Sequence, residues 1–422
     1  MPEKKLAAGT NGSVVVRSCQ VCDEAGLEPV IFLGYLPPVN TMPAAGTRPA
    51  EQPAYPAQLL RCPRCQLVQL GLVVDPAILF PPSYPYTSGT TKVLRDNFAE
   101  LYAEVRSMFE LGPGDLIVDV GSNDGTLLAN FRQGGHRVLG IEPTDAARLA
   151  IASGIPTLNR FFSPAAAKSV VEENGKARIV TAANVFAHIE DVHSVVESVL
   201  ALLADDGLFV SESHYLHSLL ETVQYDTIYH EHLRYYSVTS LRALLEMHGL
   251  EIVHCKRIPT HGGSIRVYAA RRGTHRIRPT VHAVLAEEGE LGPSAIESFR
   301  QKVVRSKLGL MALLCDLKKN GGSIFGVGAP SRASTLINYV GLDDGILDCV
   351  VEIRGSYKIG KYVPGTLIPV VDESKLIERQ PTYALLLSWH IADELMPKLR
   401  VKGFKGDFIV PLPEPRIVEG TG

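Results

Sequence analysis

The stretch Asp119-Val120-Gly121-Ser122-Asn123-Asp124-Gly125 decides how this chain is read. It follows the apolar run Leu116-Ile117-Val118, which has the look of a short buried strand, and it opens a helix from about residue 125. In such a turn, glycines let backbone approach a ligand, and the helix start offers N–H groups to it. About twenty residues on, Val138-Leu139-Gly140-Ile141-Glu142-Pro143 sets an acid at the end of the next strand, where a carboxylate can take both hydroxyls of a ribose. That much suits a dinucleotide or S-adenosylmethionine. The turn runs Asp-x-Gly-x-x-x-Gly and not Gly-x-Gly-x-x-Gly. The missing glycine points to an amino acid moiety over the turn in place of a pyrophosphate, hence to S-adenosylmethionine. The expected cofactor contacts are Asp119, Gly121, Asn123, Gly125, Glu142 and Pro143, with Asn184 beyond a later strand.

Around this turn the pattern alternates. Residues 93–109 carry Leu94, Phe98, Leu101, Val105 and Met108 on one stripe and predict an amphipathic helix. Strands are predicted at 116–120, 137–141, 179–182 and 208–211, with helices between, and a closing antiparallel pair at 250–254 and 264–271. Such alternation implies a mostly parallel α/β sheet. Residues 281–317 read as one long helix linking two lobes. A second strand–turn–helix begins at 323, with the turn Gly328-Ala329-Pro330-Ser331 and further strands at 349–352, 368–371 and 383–387. The predicted fold class is therefore α/β. It has a small N-terminal domain (1–90), a Rossmann-like cofactor domain (91–300) and a second Rossmann-like domain (301–422).

The N-terminal segment is rich in Pro and Gly and short of helical periodicity, so it is expected to bury little core of its own. It holds Cys19-Gln-Val-Cys22 and Cys62-Pro-Arg-Cys65. Two such pairs set four thiolates for a tetrahedral zinc, and a filled four-sulfur site is structural because it leaves no open position. Cys255, Cys315 and Cys349 read as buried apolar thiols.

Composition excludes several classes of function. With 45% hydrophobic and 21% charged residues and a net charge of −3, the chain has no electrostatic case for nucleic acid or an anionic membrane. Met-Pro-Glu-Lys-Lys leads into no apolar signal core, and no apolar run reaches the roughly 20 residues that span a bilayer. A cytoplasmic protein is expected.

The densest chemistry lies in Gln224-Tyr225-Asp226-Thr227-Ile228-Tyr229-His230-Glu231-His232. Tyr229 and His232 share a face if this stretch makes a helical turn. Glu231 can orient an imidazole, and Tyr229 can donate to a developing oxyanion. Tyr-His-Glu-His is not the His-Glu-x-x-His zinc motif, so a zinc hydrolase is unsupported. A polar surface loop with several histidines is the competing reading. Methylation at carbon needs a base that removes a proton beside a carbonyl and a donor that holds the enolate. Methylation at a hydroxyl needs only a base, so the cluster leans toward carbon, with O- or N-methylation of a sugar or other small metabolite as the alternative.

In order along nearly the whole chain, these motifs resemble the sugar C-methyltransferases that build branched deoxysugars such as tetronitrose, vancosamine and mycarose. The resemblance rests on the two cysteine pairs, Ser83-Tyr-Pro-Tyr-Thr-Ser-Gly89, Asp119 to Gly125, Ala183-Asn-Val-Phe-Ala-His-Ile189 and Ile228-Tyr-His-Glu-His232. It continues through His261-Gly-Gly-Ser-Ile-Arg266, Gly326-Val-Gly-Ala329 and Pro364-Gly-Thr366. It implies a nucleotide-linked 4-keto-6-deoxysugar as substrate, usually dTDP-linked, and a monomer. By the same resemblance His232 is the base, Tyr229 and His188 steady the enolate, and Glu231 assists. Tyr84 and Tyr86 line the sugar pocket, and Ser88 joins the cofactor contacts. His261, Gly262, Arg266, Arg332, Lys358, Lys361 and His390 are expected at the substrate. For Arg332, Lys358 and Lys361 this means the diphosphate. Gly-Ala-Pro-Ser-Arg and Trp389-His390 depart from the family's more usual Gly-Ala-Thr-type and Trp-Asn runs, both in the nucleotide-holding lobe.

Overall fold

A computed structural model describes residues 5–7, 12–80 and 88–420. At its centre lies a seven-stranded sheet. Its strands are β1 (Leu116–Val120), β2 (Arg137–Ile141), β3 (Thr157–Leu158), β4 (Ala177–Ala183), β5 (Leu203–His214), β6 (Leu250–Ile258) and β7 (Ser264–Arg271). Across the sheet the order is 3-2-1-4-5-7-6. The first five strands pair in parallel, and β7 runs antiparallel between β5 and β6. All five residues of β1 are buried. A strand covered on both faces reads as a continuous apolar run, which is why Leu116 to Val120 stands out in the sequence. The chain leaves β1 for β2 on one side and later returns to β4 on the other. The order thus reverses at β1, and such a reversal opens a crevice at the strands' carboxyl ends.

The predicted helix over 281–317 is two helices, Pro279–Glu288 and Pro293–Lys319. The break falls at 289–292. Pro293 lacks the N–H an interior position needs and is accepted at a helix start.

The N-terminal segment is more than a loop-rich knot. Glu28–Leu36, Tyr55–Arg61 and Val68–Leu70 form an antiparallel sheet, and Arg234–Tyr235 completes it from the far side of the chain. Its inward residues Val30, Leu33, Leu59 and Leu70 share one core with Phe299 and Leu310 of the long helix and Leu336 of the C-terminal lobe. The apolar cover comes from elements more than two hundred residues away, which a local reading of composition does not see.

The C-terminal lobe holds a second sheet. Val370–Asp372, Cys349–Glu352, Ile324–Val327, Tyr383–Leu386 and Asp407–Val410 run parallel, with Arg416–Val418 antiparallel at the edge. The last two strands were not anticipated. No helix among the described residues is long and apolar enough to cross a membrane.

Arg266, expected at the substrate, stands on β7, beside the edge strand of the central sheet, and is fully buried. Its Nε donates to Glu212 Oε1 at 2.6 Å, Nη1 to Glu104 Oε2 at 2.7 Å and Nη2 to Asn97 Oδ1 at 2.8 Å. It joins β5, β7 and the helix Lys92–Met108. Removing one partner of such a pair strands the other charge in the interior. Arg266→Met should therefore lower unfolding free energy by about 3–5 kcal/mol in urea titration. A variant of unchanged stability with a raised substrate KM would return this arginine to the substrate.

Candidate active site and zinc centre

The two cysteine pairs make near-identical knuckles. In each, the N–H four residues after the first cysteine returns to that cysteine's carbonyl: Asp23 to Cys19 and Gln66 to Cys62, both at 3.0 Å. Asp23 and Gln66 take left-handed backbone to close the turn. Four unbridged sulfurs result, all within 4.8 Å of one another. Cys19 and Cys65 are 3.4 Å apart, and Cys22 and Cys62 are 3.5 Å apart. Zinc about 2.3 Å from each of four sulfurs requires edges near 3.8 Å, so the donor set fits tetrahedral zinc and leaves no open position. Gln69 braces the first knuckle, accepting from the Gln20 N–H at 2.9 Å.

At the turn after β1, Gly121, Asn123 and Gly125 all have positive φ. A Cβ on Gly121 would meet Val185 Cγ2 at 2.4 Å. Glu142 is buried and acts first as a brace. Its Oε2 accepts from the Asn123 N–H at 3.0 Å, and its Oε1 accepts from the Thr144 N–H and hydroxyl at 2.9 and 2.6 Å. A carboxylate has about four acceptor sites, and three are taken, which leaves about one for a ribose hydroxyl where the sequence suggested both. The helix start is less open than predicted. Asp124 Oδ1 accepts from the Thr126 N–H at 3.2 Å, and Asn123 Oδ1 accepts from the Asp124 N–H at 3.0 Å. Ser88 reaches the same turn through its backbone, its N–H donating to Asn123 Oδ1 at 2.9 Å. Pro143 follows directly on Glu142 in the loop after β2.

Asn184, in left-handed backbone after β4, keeps a buried Oδ1 with no partner among the described residues. An unpaired acceptor at the carboxyl edge of this sheet is what a missing polar ligand leaves. Asp119 is buried at the end of β1 and accepts from the Thr181 hydroxyl at 2.6 Å. Burial pushes its pKa up to about 7. The Thr181 hydroxyl opposes that shift, and Glu142 and Glu212 add to it.

Four residues beyond Asn184, the same loop delivers His188 to a cluster of imidazoles. His232 is its centre. Its Nδ1 lies 2.9 Å from the Thr227 carbonyl. A carbonyl only accepts, so Nδ1 carries the proton and Nε2 presents the lone pair. The Tyr229 ring centroid is 4.1 Å from that of His232, His214 is at 4.6 Å and His188 at 5.1 Å. His188 Nδ1 donates to the Glu231 carbonyl at 2.5 Å, and the Glu231 carboxylate accepts from Asn40 Nδ2 at 2.8 Å. Burial holds His232 well below the usual histidine value, and His188 and His261 act in the same direction. Burial likewise keeps Tyr229 protonated as a donor. His214 was missed at the level of sequence. Its signal was its place, at the carboxyl end of β5 where the His-rich stretch begins.

His261 continues the ring, 5.5 Å from His214, in left-handed backbone. Burial first, then Arg332, lowers its pKa to about 4. The Gly262 carbonyl is occupied by Gln224 Nε2 at 2.6 Å. Arg332 is committed elsewhere than to a diphosphate. Its Nε and Nη2 grip both oxygens of Asp226 at 2.8 Å each, and it lies over the Trp389 ring. Lys358 Nζ donates to the Ala329 carbonyl, and Lys361 Nζ sits 4.7 Å from the Tyr357 ring centroid. His390 is half-buried, its Nδ1 has no partner among the described residues, and burial lowers its pKa to about 2. Tyr84 and Tyr86 lie outside the described residues.

Three family models match in series. A zinc binding domain covers 19–80, a methyltransferase domain 93–255, and a C-methyltransferase C-terminal domain 259–413. The C-methyltransferase NovU of Streptomyces niveus is 34% identical over 416 residues, 96% of this chain and 97% of that one. Solved structures resemble part of the chain. Magnesium protoporphyrin IX methyltransferase of Synechocystis is 15% identical, with TM-score 0.33 over 42% of this chain and 79% of its own. A SAM-dependent methyltransferase of Anabaena variabilis is 17% identical, with TM-score 0.34 over 42% and 86%.

Two outcomes follow from this geometry. Chelation should expose the segment before residue 80 to protease, and added zinc should protect it again; a chelated protein that stays resistant would remove the metal from the fold. S-adenosylmethionine brings ammonium and sulfonium charge, which favours the ionised form of a neighbouring carboxyl. Binding near pH 7 should therefore release a fraction of a proton from Asp119, read by calorimetry in buffers of different ionisation enthalpy. Equal heats in both would mean that Asp119 is ionised beforehand or apart from the cofactor.

Proposed function

Since this chain belongs to the C-methyltransferase family and is a SAM-dependent methyltransferase with a structural zinc, we propose that it methylates a nucleotide-linked 4-keto-6-deoxysugar at a carbon beside the ketone. The observation that carries this reading is His232, neutral and fixed in one tautomer, with Tyr229 and His188 against it. Carbon does not attack a methyl donor until a proton is removed beside the carbonyl, and a buried neutral imidazole with a free Nε2 is suited to take it. The proton moves from carbon to Nε2 of His232, and the C–H electron pair becomes the enolate. Tyr229, still protonated, donates to the enolate oxygen, with His188 beside it. S-adenosylmethionine, when bound, supplies an electrophilic methyl group on a sulfonium. Asp119, Asn184 and Glu142 hold that cofactor at the same sheet edge from which His188 and His214 project. One loop carries both Asn184 and His188, which ties the cofactor in register with a group that steadies the enolate.

The division of labour we infer is a zinc-held segment to about residue 90, a methyltransferase unit to about 300 and a nucleotide-holding lobe beyond. We assign the diphosphate, dTDP-linked in this reading, to Lys358 and Lys361. Arg332 is given to the pair with Asp226. Tyr84 and Tyr86 remain assigned to the sugar pocket, and His261, Gly262 and His390 to the substrate. The protein is taken as a cytoplasmic monomer.

His232→Ala should lower kcat by roughly 10²–10⁴-fold with S-adenosylmethionine affinity intact. Because burial lowers the pKa of His232, the base is neutral above it and inactive below it. The wild-type rate should therefore hold down through pH 6.5 and fall only in more acid solution. Without S-adenosylmethionine, deuterium should enter from solvent at the carbon beside the ketone. Mass spectrometry across dTDP-, GDP-, CDP- and UDP-linked keto-sugars identifies the substrate. Full activity in His232→Ala, or methylation at oxygen without exchange, would overturn the reading.

A further inference from the structure

A chain of two hydrogen bonds through Asn40 joins Glu231 to the two outer parts of the chain. The Glu231 carboxylate accepts from the Asn40 amide at 2.8 Å, and Asn40 Oδ1 accepts from the Tyr357 hydroxyl at 3.3 Å. Asn40 lies in the zinc-bearing segment, Glu231 in the acid–base cluster and Tyr357 in the C-terminal lobe. The two outer parts are laced together at this point. The Tyr362 N–H donates to the Pro43 carbonyl and the Ala45 N–H to the Gly360 carbonyl, each at 2.8 Å. The Gly46 N–H donates to the Tyr362 hydroxyl at 2.9 Å, and the Gly365 N–H to Gln52 Oε1 at 3.0 Å. Residues 40–52 thus form a strap seated on the loop 357–365. That loop also carries Lys358 and Lys361, and Lys361 packs on the Tyr357 ring.

The polarity of the contact is set by chemistry. A carboxylate accepts and does not donate, so the amide nitrogen of Asn40 must face it, and the amide oxygen is left for a donor. Tyr357 is that donor. We propose that Asn40 is a positioning residue for the methyl transfer. It holds the Glu231 carboxylate in place, and Tyr357 acts through it, so the strap and the lysine-bearing loop set the acid–base cluster together. This rests on the enolate reading above. The zinc centre then has a second consequence, because it anchors the segment that supplies the amide. A displacement of about 1 Å at a reacting group can cost on the order of 100-fold in rate.

The test is solvent deuterium exchange into a dTDP-linked 4-keto-6-deoxyhexose in the absence of S-adenosylmethionine, with methyl transfer measured alongside. Wild-type enzyme is expected to exchange. Asn40→Ala should lower kcat for exchange by about 10–100-fold, with KM changed about twofold or less and zinc content and S-adenosylmethionine affinity retained. Asn40→Asp has nearly the same shape but sets a carboxylate against Glu231, so it should fall at least as far. A residue that only packs would tolerate this isosteric change. Tyr357→Phe should give a smaller loss that disappears in the Asn40→Ala background, because it acts through that amide. The proposal is overturned by Asn40→Asp at wild-type rate, by exchange in Asn40→Ala within about twofold of wild type, or by additive effects of the two positions. Asn40→Asp and Tyr357→Phe keep the question open to decision if Asn40→Ala fails to fold. No exchange in the wild type itself would overturn the enolate reading, and this proposal with it, and is distinguished by that control.

Discussion

The active region depends on a buried ion pair between Arg332 and Asp226. Arg332 begins the first helix of the C-terminal lobe, and Asp226 lies in the loop that carries the catalytic candidates. The guanidinium grips both carboxylate oxygens, and the indole N–H of Trp389 adds a third bond to the same group at 2.7 Å. The next residue is Thr227, whose carbonyl fixes the tautomer of His232. The position of His232 is therefore tied to a contact between lobes. A buried pair of this kind adds little net stability, because desolvation offsets much of its attraction, but losing one partner is costly. Its role here is geometric. The same guanidinium donates to Gln224 Oε1 and the His261 carbonyl, at 3.2 and 3.3 Å, so two loops are referred to a single charge.

That charge also shapes the electrostatics. Four imidazoles, those of His188, His214, His232 and His261, gather beside Arg332, and burial lowers the pKa of each. A cluster of protonated histidines next to an arginine would repel itself, whereas a cluster of neutral ones is tolerated and keeps lone pairs available near neutral pH. Tyr229 is shifted the other way and stays a donor. The His232 imidazole and the Tyr229 phenol thus lie side by side with their protonation states held apart by the same low dielectric. Burial pushes the pKa of Asp119 up to about 7, where a nearby positive charge would change its protonation most near neutral pH.

Much of this was legible in the sequence where the information is local. Strands 116–120 and 137–141 coincide with β1 and β2, because fully covered strands are continuous apolar runs. Gly121 and Gly125 announced a turn that only small residues can make, and Cys-x-x-Cys announced its knuckles. Where partners are remote, the reading went astray. Arg266 and Arg332 look in sequence like substrate contacts, the second of them for a diphosphate, and only the fold reveals Glu212, Glu104 and Asp226 already in their grasp. The N-terminal strands looked coreless because their cover comes from the long helix and the C-terminal lobe. The helix start expected at 125 is partly occupied, because Asp124 takes the Thr126 N–H and Asn123 takes the Asp124 N–H.

Sequence by itself determined the chemistry on offer: a turn for a small cofactor after β1, four thiolates for zinc, and a Tyr-x-x-His set able to handle a proton. Each is a pattern within a few residues, where covalent spacing already dictates geometry. Only the tertiary structure decided which groups meet. It brought His214 and His261 to His232, spent two arginines on internal carboxylates and carried Asn40 across some two hundred residues to Glu231. The physical reason is that burial and ion pairing depend on what lies nearby in space, and chain order does not fix that distance.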